Sequence, residues 1–135
     1  MLALGILLTA GAAYSTTASA HAPTKDDVIT TYLNAVIHGK IAGLEDAIDD
    51  EAEFNLIRGS NVVHRLNKGE ILSSLRSSAN VDNDCQCTKT VVQDSDESST
   101  LKVEMKYADF TRVDVITAQH AGHGWKITKV DTSFK

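Results

Sequence analysis

Apolar residues recur every three or four positions in two segments of the chain, which is the spacing that buries one side of a helix. The first helix is predicted from the capping residue Thr24 to a glycine stop at Gly39, with acidic residues in its first turn. The second begins at Asn67, with Glu70 placed to complete a capping box. A shorter helix is predicted for residues 41–48, between these two.

Alternation of apolar and polar residues predicts strands in the rest of the chain. It is clearest in residues 101–107, where Leu, Val, Met and Tyr alternate with Lys and Glu. Further strands are predicted at residues 53–57, 62–66, 88–93, 111–119 and 125–130. The resulting order is α-α-β-β-α-β-β-β-β. We therefore predict an α+β fold, in which a curved antiparallel sheet wraps around the N-terminal helices and forms a cone with a cavity at its open end.

Composition and charge narrow the class of protein. The 135 residues suit one domain, and 42% hydrophobic with 23% charged residues is typical of an ordinary globular protein. The net charge of -5 arises entirely from Lys25 onward. Because nucleic-acid binding needs a basic surface, we expect no nucleic-acid partner. The acidic runs 49–51 and 94–97 are interpreted as solvated turns, since neither has the ligand pattern of a calcium loop.

The first twenty residues predict export. Residues 2–13 are almost wholly apolar, which is too short for a membrane-spanning helix and the right length for the core of a signal peptide. Small residues follow and end in Ala18-Ser19-Ala20, a cleavage pattern that leaves a mature domain of residues 21–135. We expect a periplasmic or secreted protein with no membrane span in its mature chain. No positive charge precedes the apolar run, which a true start further upstream would explain; the alternative is a buried N-terminal helix.

Two segments resemble a known family. Residues 26–33 followed by Gly39 resemble the first helix of nuclear transport factor 2-like proteins, and residues 122–127 resemble their final hairpin, with its Gly-x-Trp-x-Ile pattern. Among subfamilies, the chain is most similar to small exported proteins labelled putative lumazine-binding. The resemblance implies the cystatin-like cone, a central pocket and a homodimer formed through the outer face of the sheet. It implies no reaction, because the superfamily includes isomerases, cyclases, dehydratases and binding modules.

Six polar residues are candidates for lining such a pocket, because a few polar groups among apolar walls orient a ligand. They are Tyr32, Arg58, His64, Asp109, Arg112 and Asp114. The alternatives are that Tyr32 is an ordinary core residue and that the others face solvent or a dimer interface.

Tyr32 together with Asp109 or Asp114 invites comparison with ketosteroid isomerase, a member of the superfamily that combines a general-base Asp with a Tyr that donates to an oxyanion. Alternation places Asp109 on the side of Met105, whereas a bend at residues 108–110 would place it in water. Alternation also places Arg112 and Asp114 on one side of their strand, but does not show which side is inward.

The remaining reactive residues predict neither a metal site nor a cofactor. Cys85 and Cys87 are interpreted as free thiols, as a strained local disulfide or as an intermolecular pair. His120 and His123 fall in a predicted turn and are interpreted as solvated. The sequence contains no nucleophile motif, phosphate-binding loop or dinucleotide fingerprint, so no catalytic residue is assigned.

The sequence therefore predicts an exported binding or interaction module with a cone pocket, whose possible small-molecule ligand is unknown. A small pocket enzyme of the isomerase or dehydratase type is the alternative.

Overall fold

The computed structural model describes residues 22–135, and the predicted signal peptide lies outside this range. Helices and strands follow one another in the predicted order. The elements are α1 Lys25–His38, α2 Leu44–Ala47, β1 Ile48–Arg58, β2 Asn61–Leu66, α3 Lys68–Ser77, β3 Gln86–Asp94, β4 Ser98–Lys106, β5 Thr111–Ala121 and β6 Gly124–Phe134. Within the described range, no helix combines the length and apolar composition needed to cross a membrane.

Local sequence determines both ends of α1. The Thr24 side chain accepts a hydrogen bond from the backbone N–H of Asp27, and the Asp27 carboxylate accepts one from the backbone N–H of Thr24. This capping box satisfies donors that the first helical turn leaves without partners. At the other end, Gly39 adopts a left-handed conformation with φ 67° and its N–H donates to Ala35.

Helix α2 is shorter than predicted. It spans Leu44–Ala47, whereas the apolar pattern predicts residues 41–48. Gly43 precedes it in a left-handed conformation, and Ile48 is already extended, fully buried and paired with Ile127 of β6. The prediction was wrong at both ends, because the left-handed Gly43 delays the start of the helix and the apolar pattern continues into the strand that follows.

The sheet contains six strands in the order β2-β1-β6-β5-β4-β3. The sheet is antiparallel, as predicted, apart from the pairing of β1 with β6, which is parallel. After β2 the chain passes through α3 to the far edge of the sheet. Three successive antiparallel pairings, from β3 to β6, then place β6 beside β1, and the two strands run in the same direction. Strand alternation alone carries no information about this long-range return.

The core lies between α1 and the inner side of the sheet. Tyr32 of α1 belongs to the same buried cluster as Met105 of β4, Ile116 of β5 and Val130 of β6. Helix α1 packs on β5 and β6, and α3 packs on β1 and β2. The side of β5 that carries Asp114 and Ile116 is therefore the inward one, which the sequence left open.

Two glycines with nearly the same backbone conformation provide a test of this packing. Gly39 and Gly59 have φ 67° and 65°, but a Cβ on Gly39 would lie 2.6 Å from the backbone N of Val81, whereas one on Gly59 meets nothing within 4 Å. We expect Gly59→Ala to lower the free energy of unfolding by about 1–2 kcal/mol, the cost of a left-handed alanine. Gly39→Ala should cost clearly more, because the backbone of the loop after α3 must also move. Urea unfolding of both variants measures this, and equal costs would contradict the close contact.

Candidate functional site

A buried carboxylate on β5 holds together side chains from three elements. Asp114 is fully buried, and its Oδ1 accepts hydrogen bonds from Arg112 Nε at 3.0 Å and Thr132 Oγ1 at 2.7 Å. Its Oδ2 accepts from Arg112 Nη2 at 3.1 Å and from the Tyr32 hydroxyl at 3.1 Å. Arg112 Nη2 also donates to the Tyr32 oxygen at 3.3 Å. These four residues form a polar network, which we call the Asp114 network.

Strand geometry explains why Arg112 and Asp114 meet. Residues two apart on a strand point to the same side, so the guanidinium lies alongside the carboxylate and contacts both of its oxygens. Because an unpaired buried charge is very costly, Asp114 requires this partner. Among residues 22–135, no buried side-chain nitrogen or oxygen lacks a hydrogen-bond partner.

The same surroundings shift the proton affinities of the other members of the network. Burial, and then the negative charge of Asp114, raise the pKa of the Tyr32 hydroxyl well above its ordinary value. Burial alone would lower the pKa of Arg112, but the neighbouring Tyr32 and Asp114 outweigh it and raise that pKa. At neutral pH, Tyr32 is therefore a neutral donor and Arg112 a permanent cation.

Beside the network is a concavity of about 200 Å³, which we call the Arg112 concavity. Tyr32, Arg112 and Thr132 contribute to its wall. Its apolar lining consists of Phe54, Leu56, Leu66, Ile71 and Phe134, and Asn55 and His64 complete it. Apolar walls with a few fixed polar groups are typical of sites that bind small molecules.

Arg112, which lines this concavity, retains unused hydrogen-bonding capacity. Its side chain is 23% exposed, and its Nε and Nη2 are the nitrogens that bind Asp114. Its remaining nitrogen, Nη1, makes no hydrogen bond to any residue in the range 22–135. A guanidinium carries five donors in a rigid plane, so the pairing with Asp114 fixes the orientation of the donors that remain.

The structure brings three of the six predicted site residues into direct contact and places a fourth nearby. Tyr32, Arg112 and Asp114 share hydrogen bonds, and His64 lines the Arg112 concavity although it is exposed. Arg58 is exposed at the end of β1, beside the turn to β2. Asp109 is exposed in a bend that the hydrogen bond from Tyr107 N to Phe110 O closes, so it is in water and not beside Tyr32.

Sequence reasoning missed Thr132 and Asn55. Thr132 pairs with Asp114 across β5 and β6, so its contribution depends on strand register. Asn55 is buried, donates to Asp131 at 2.9 Å and accepts from Arg65 at 2.9 Å. Each was one polar residue among many on alternating strands, and no local signal marked Thr132 as inward or Asn55 as buried.

The thiols and histidines take no part in this site. Cys85 and Cys87 are free, and burial raises the pKa of the Cys85 thiol. His120 and His123 are exposed at the hairpin between β5 and β6. Within residues 22–135, no three His, Cys, Asp or Glu side chains are grouped so that they could hold a metal ion.

Comparison with known families gives one match that covers most of the chain. The family model described as "Putative lumazine-binding" matches residues 20–131. This range includes Tyr32, Arg112 and Asp114 of the Asp114 network and ends one residue before Thr132. No curated protein sequence matches the chain significantly.

Solved structures share the fold at low sequence identity. A nuclear transport factor 2-like protein of unknown function from Silicibacter pomeroyi is 17% identical, with a TM-score of 0.64 over 80% of this chain and 90% of that one. A structure titled putative ketosteroid isomerase, from Parabacteroides distasonis, is 9% identical, with a TM-score of 0.58 over 82% and 86%. A putative calcium/calmodulin-dependent protein kinase type II association domain from Thiobacillus denitrificans is 10% identical, with a TM-score of 0.59 over 85% and 98%. These similarities show the nuclear transport factor 2-like cone fold and nothing about activity.

The raised pKa of Tyr32 predicts a pH dependence of stability. In the unfolded chain this tyrosine ionises near pH 10, whereas the folded protein keeps its proton to higher pH. The folded state therefore binds more protons above about pH 10, and stability must fall as the pH rises. We expect this fall to be steeper in the wild type than in Tyr32→Phe, by up to about 1.4 kcal/mol per pH unit.

Urea unfolding of the two proteins between about pH 9 and pH 11 measures the difference. The pKa of Tyr107 is also raised, to about 12, mainly by burial, but Tyr107 is present in both proteins and its effect cancels. Parallel pH profiles would contradict the burial of an un-ionised Tyr32 against Asp114.

Proposed function

From the premise that the chain belongs to the "Putative lumazine-binding" family of nuclear transport factor 2-like proteins, we propose that it is an exported binding module. Its ligand is a small, largely apolar molecule with a carboxylate or similar oxyanion. The apolar part occupies the Arg112 concavity and the oxyanion accepts hydrogen bonds from Arg112. The name of the family itself refers to a small-molecule ligand.

The single observation that carries this proposal is the geometry of Arg112. One edge of its guanidinium binds Asp114, while Nη1 has no partner within residues 22–135 and the side chain contributes to the concavity wall. A cation held in place by a buried carboxylate loses little conformational freedom when it binds a ligand. Hydrogen bonds between charged groups are also about twice as strong as neutral ones.

The volume of the concavity limits the ligand. Sites for drug-sized molecules usually enclose about 300–1,000 Å³, whereas this concavity has about 200 Å³. We therefore expect the enclosed part of the ligand to be about the size of one ring or a short chain. Its apolar walls favour a hydrocarbon surface there.

Export is the second part of the proposal. The apolar run at residues 2–13 and the pattern Ala18-Ser19-Ala20 support removal of a signal peptide before His21. A homodimer formed through the outer sheet face remains an expectation from the family resemblance, and sedimentation of the purified protein measures it.

A small enzyme of the isomerase type is the second candidate. It is favoured by the hydrogen bond between Tyr32 and Asp114 and by the fold shared with the structure titled putative ketosteroid isomerase. However, both Asp114 oxygens are occupied by Arg112, Thr132 and Tyr32, so the carboxylate has no free position from which to take a substrate proton. Protein-dependent deuterium exchange next to the carbonyl of cyclohexanone in D₂O, lost in Asp114→Asn, would reverse this preference.

The binding proposal is tested on protein recovered from the exported fraction. The intact mass of this protein should equal that of a chain that begins at His21. Nuclear magnetic resonance titrations compare cyclohexanecarboxylate with cyclohexanecarboxamide, which has the same shape and no charge. We expect the acid to bind about tenfold more tightly, because its charge strengthens the hydrogen bond that the neutral amide oxygen also accepts from Arg112.

Two variants locate the site without disturbing the Asp114 network. Leu56→Trp fills the Arg112 concavity and should weaken binding of the acid, whereas Val63→Trp, at an exposed position on β2, should not. Equal affinity for the acid and the amide would contradict the role of Arg112. Unchanged binding by Leu56→Trp would place the ligand elsewhere.

A further inference from the structure

Three aromatic rings form a cluster beside the Arg112 concavity. Tyr107 and Phe110 are stacked, with ring centroids 4.9 Å apart and an interplanar angle of 25°. Phe110 and Phe134 are tilted at 57°, with centroids 5.9 Å apart. We call these three residues the mouth cluster.

Packing of the core explains Tyr107, which is partly buried against it, but not the two phenylalanines. Phe110 is 46% exposed and Phe134 is 54% exposed, although the whole sequence contains only three phenylalanines. The third, Phe54, is buried in the core next to Tyr32. An exposed apolar patch is costly in a soluble protein and usually marks an interaction site.

The main chain holds the rings in place. Tyr107 N donates to Phe110 O at 2.9 Å, which closes the turn between β4 and β5. Beside Phe134, the backbones of Thr111 and Lys135 exchange two hydrogen bonds, at 2.8 and 2.9 Å. The rings are therefore presented by strand ends and a tight turn, not by a long loop.

Strand register makes the mouth cluster continuous with the proposed binding site. Phe134 pairs directly with Arg112 across β5 and β6, so the two side chains lie on the same side of the sheet. Phe134 also lines the Arg112 concavity and contacts Phe110. A ligand whose oxyanion is bound by Arg112 would reach Phe134 first and then the other two rings of the mouth cluster.

We infer that the mouth cluster is a second subsite, which stacks on a planar aromatic ring of the molecule whose oxyanion Arg112 binds. This inference rests on the proposed function and specifies the ligand class as flat aromatic acids. Stacked and tilted contacts between aromatic rings add to the binding free energy beyond the burial of apolar area. This addition is available to a planar aromatic ring and not to a saturated ring.

The experiment compares 2-naphthoate with decahydro-2-naphthoate, which has the same ring skeleton and charge but is saturated and not flat. Calorimetric titration of the complete exported protein should show that 2-naphthoate binds about two- to tenfold more tightly than its saturated counterpart. Phe110→Leu and Phe134→Leu keep an apolar side chain but remove the ring, and each should reduce this preference. Val91→Leu, at an exposed position on β3, is the control and should leave it unchanged.

The outcomes separate the two levels of the proposal. Equal binding of both acids, or a preference that survives both Phe→Leu substitutions, overturns the aromatic subsite and leaves the oxyanion site intact. Failure of both acids to bind overturns the proposed function. If the Phe→Leu variants change the sedimentation of the protein but not the preference, a second copy of the chain covers the cluster and the inference is wrong.

Discussion

The buried charge of Asp114 is the constraint on which the rest of the site depends. A fully buried carboxylate persists only if its charge is paired and its oxygens accept hydrogen bonds. Arg112, Thr132 and Tyr32 supply these, and they come from β5, β6 and α1. The helix and the two central strands must therefore meet in one arrangement, and the orientation of the Arg112 guanidinium follows from it. Replacing such a pair by apolar residues is often neutral or stabilising because its desolvation is costly, whereas removing one partner alone is strongly destabilising.

That arrangement depends on one extra residue in β6. Near the hairpin, Ala121 pairs with Gly124 and Ala118 with Ile127, and continuing this register would place Asp114 opposite Asp131. A bulge between Thr117 and Ala118 shifts the pairing by one residue. Since a one-residue shift turns the side chains to the other side of the sheet, Thr132 then meets Asp114 and Asp131 is turned away. A negative charge is thereby replaced by a hydroxyl donor.

Much of the fold could be predicted because it follows from local patterns. The caps at Thr24 and Asn67 and the alternation in β4 identify the elements and their order. The parallel pairing of β1 with β6 and the bulge could not be predicted, since both arise from contacts between distant segments. For the same reason, Arg58 and Asp109 were as plausible site candidates by residue type as Arg112. The fold nevertheless places Arg58 and Asp109 in solvent.

In the proposed function a buried pair supports a binding surface: Asp114 holds Arg112 in position, and Arg112 offers its remaining donors to a ligand. A double-mutant cycle on the free energy of unfolding, with Arg112→Met, Asp114→Leu and the double variant, tests this link most directly. We predict that Arg112→Met costs about 3–5 kcal/mol, because it leaves a buried charge unpaired. The double variant should cost less than the sum of the single ones by at least about 1 kcal/mol. Strictly additive costs would show that the two side chains do not depend on each other, and would contradict the account.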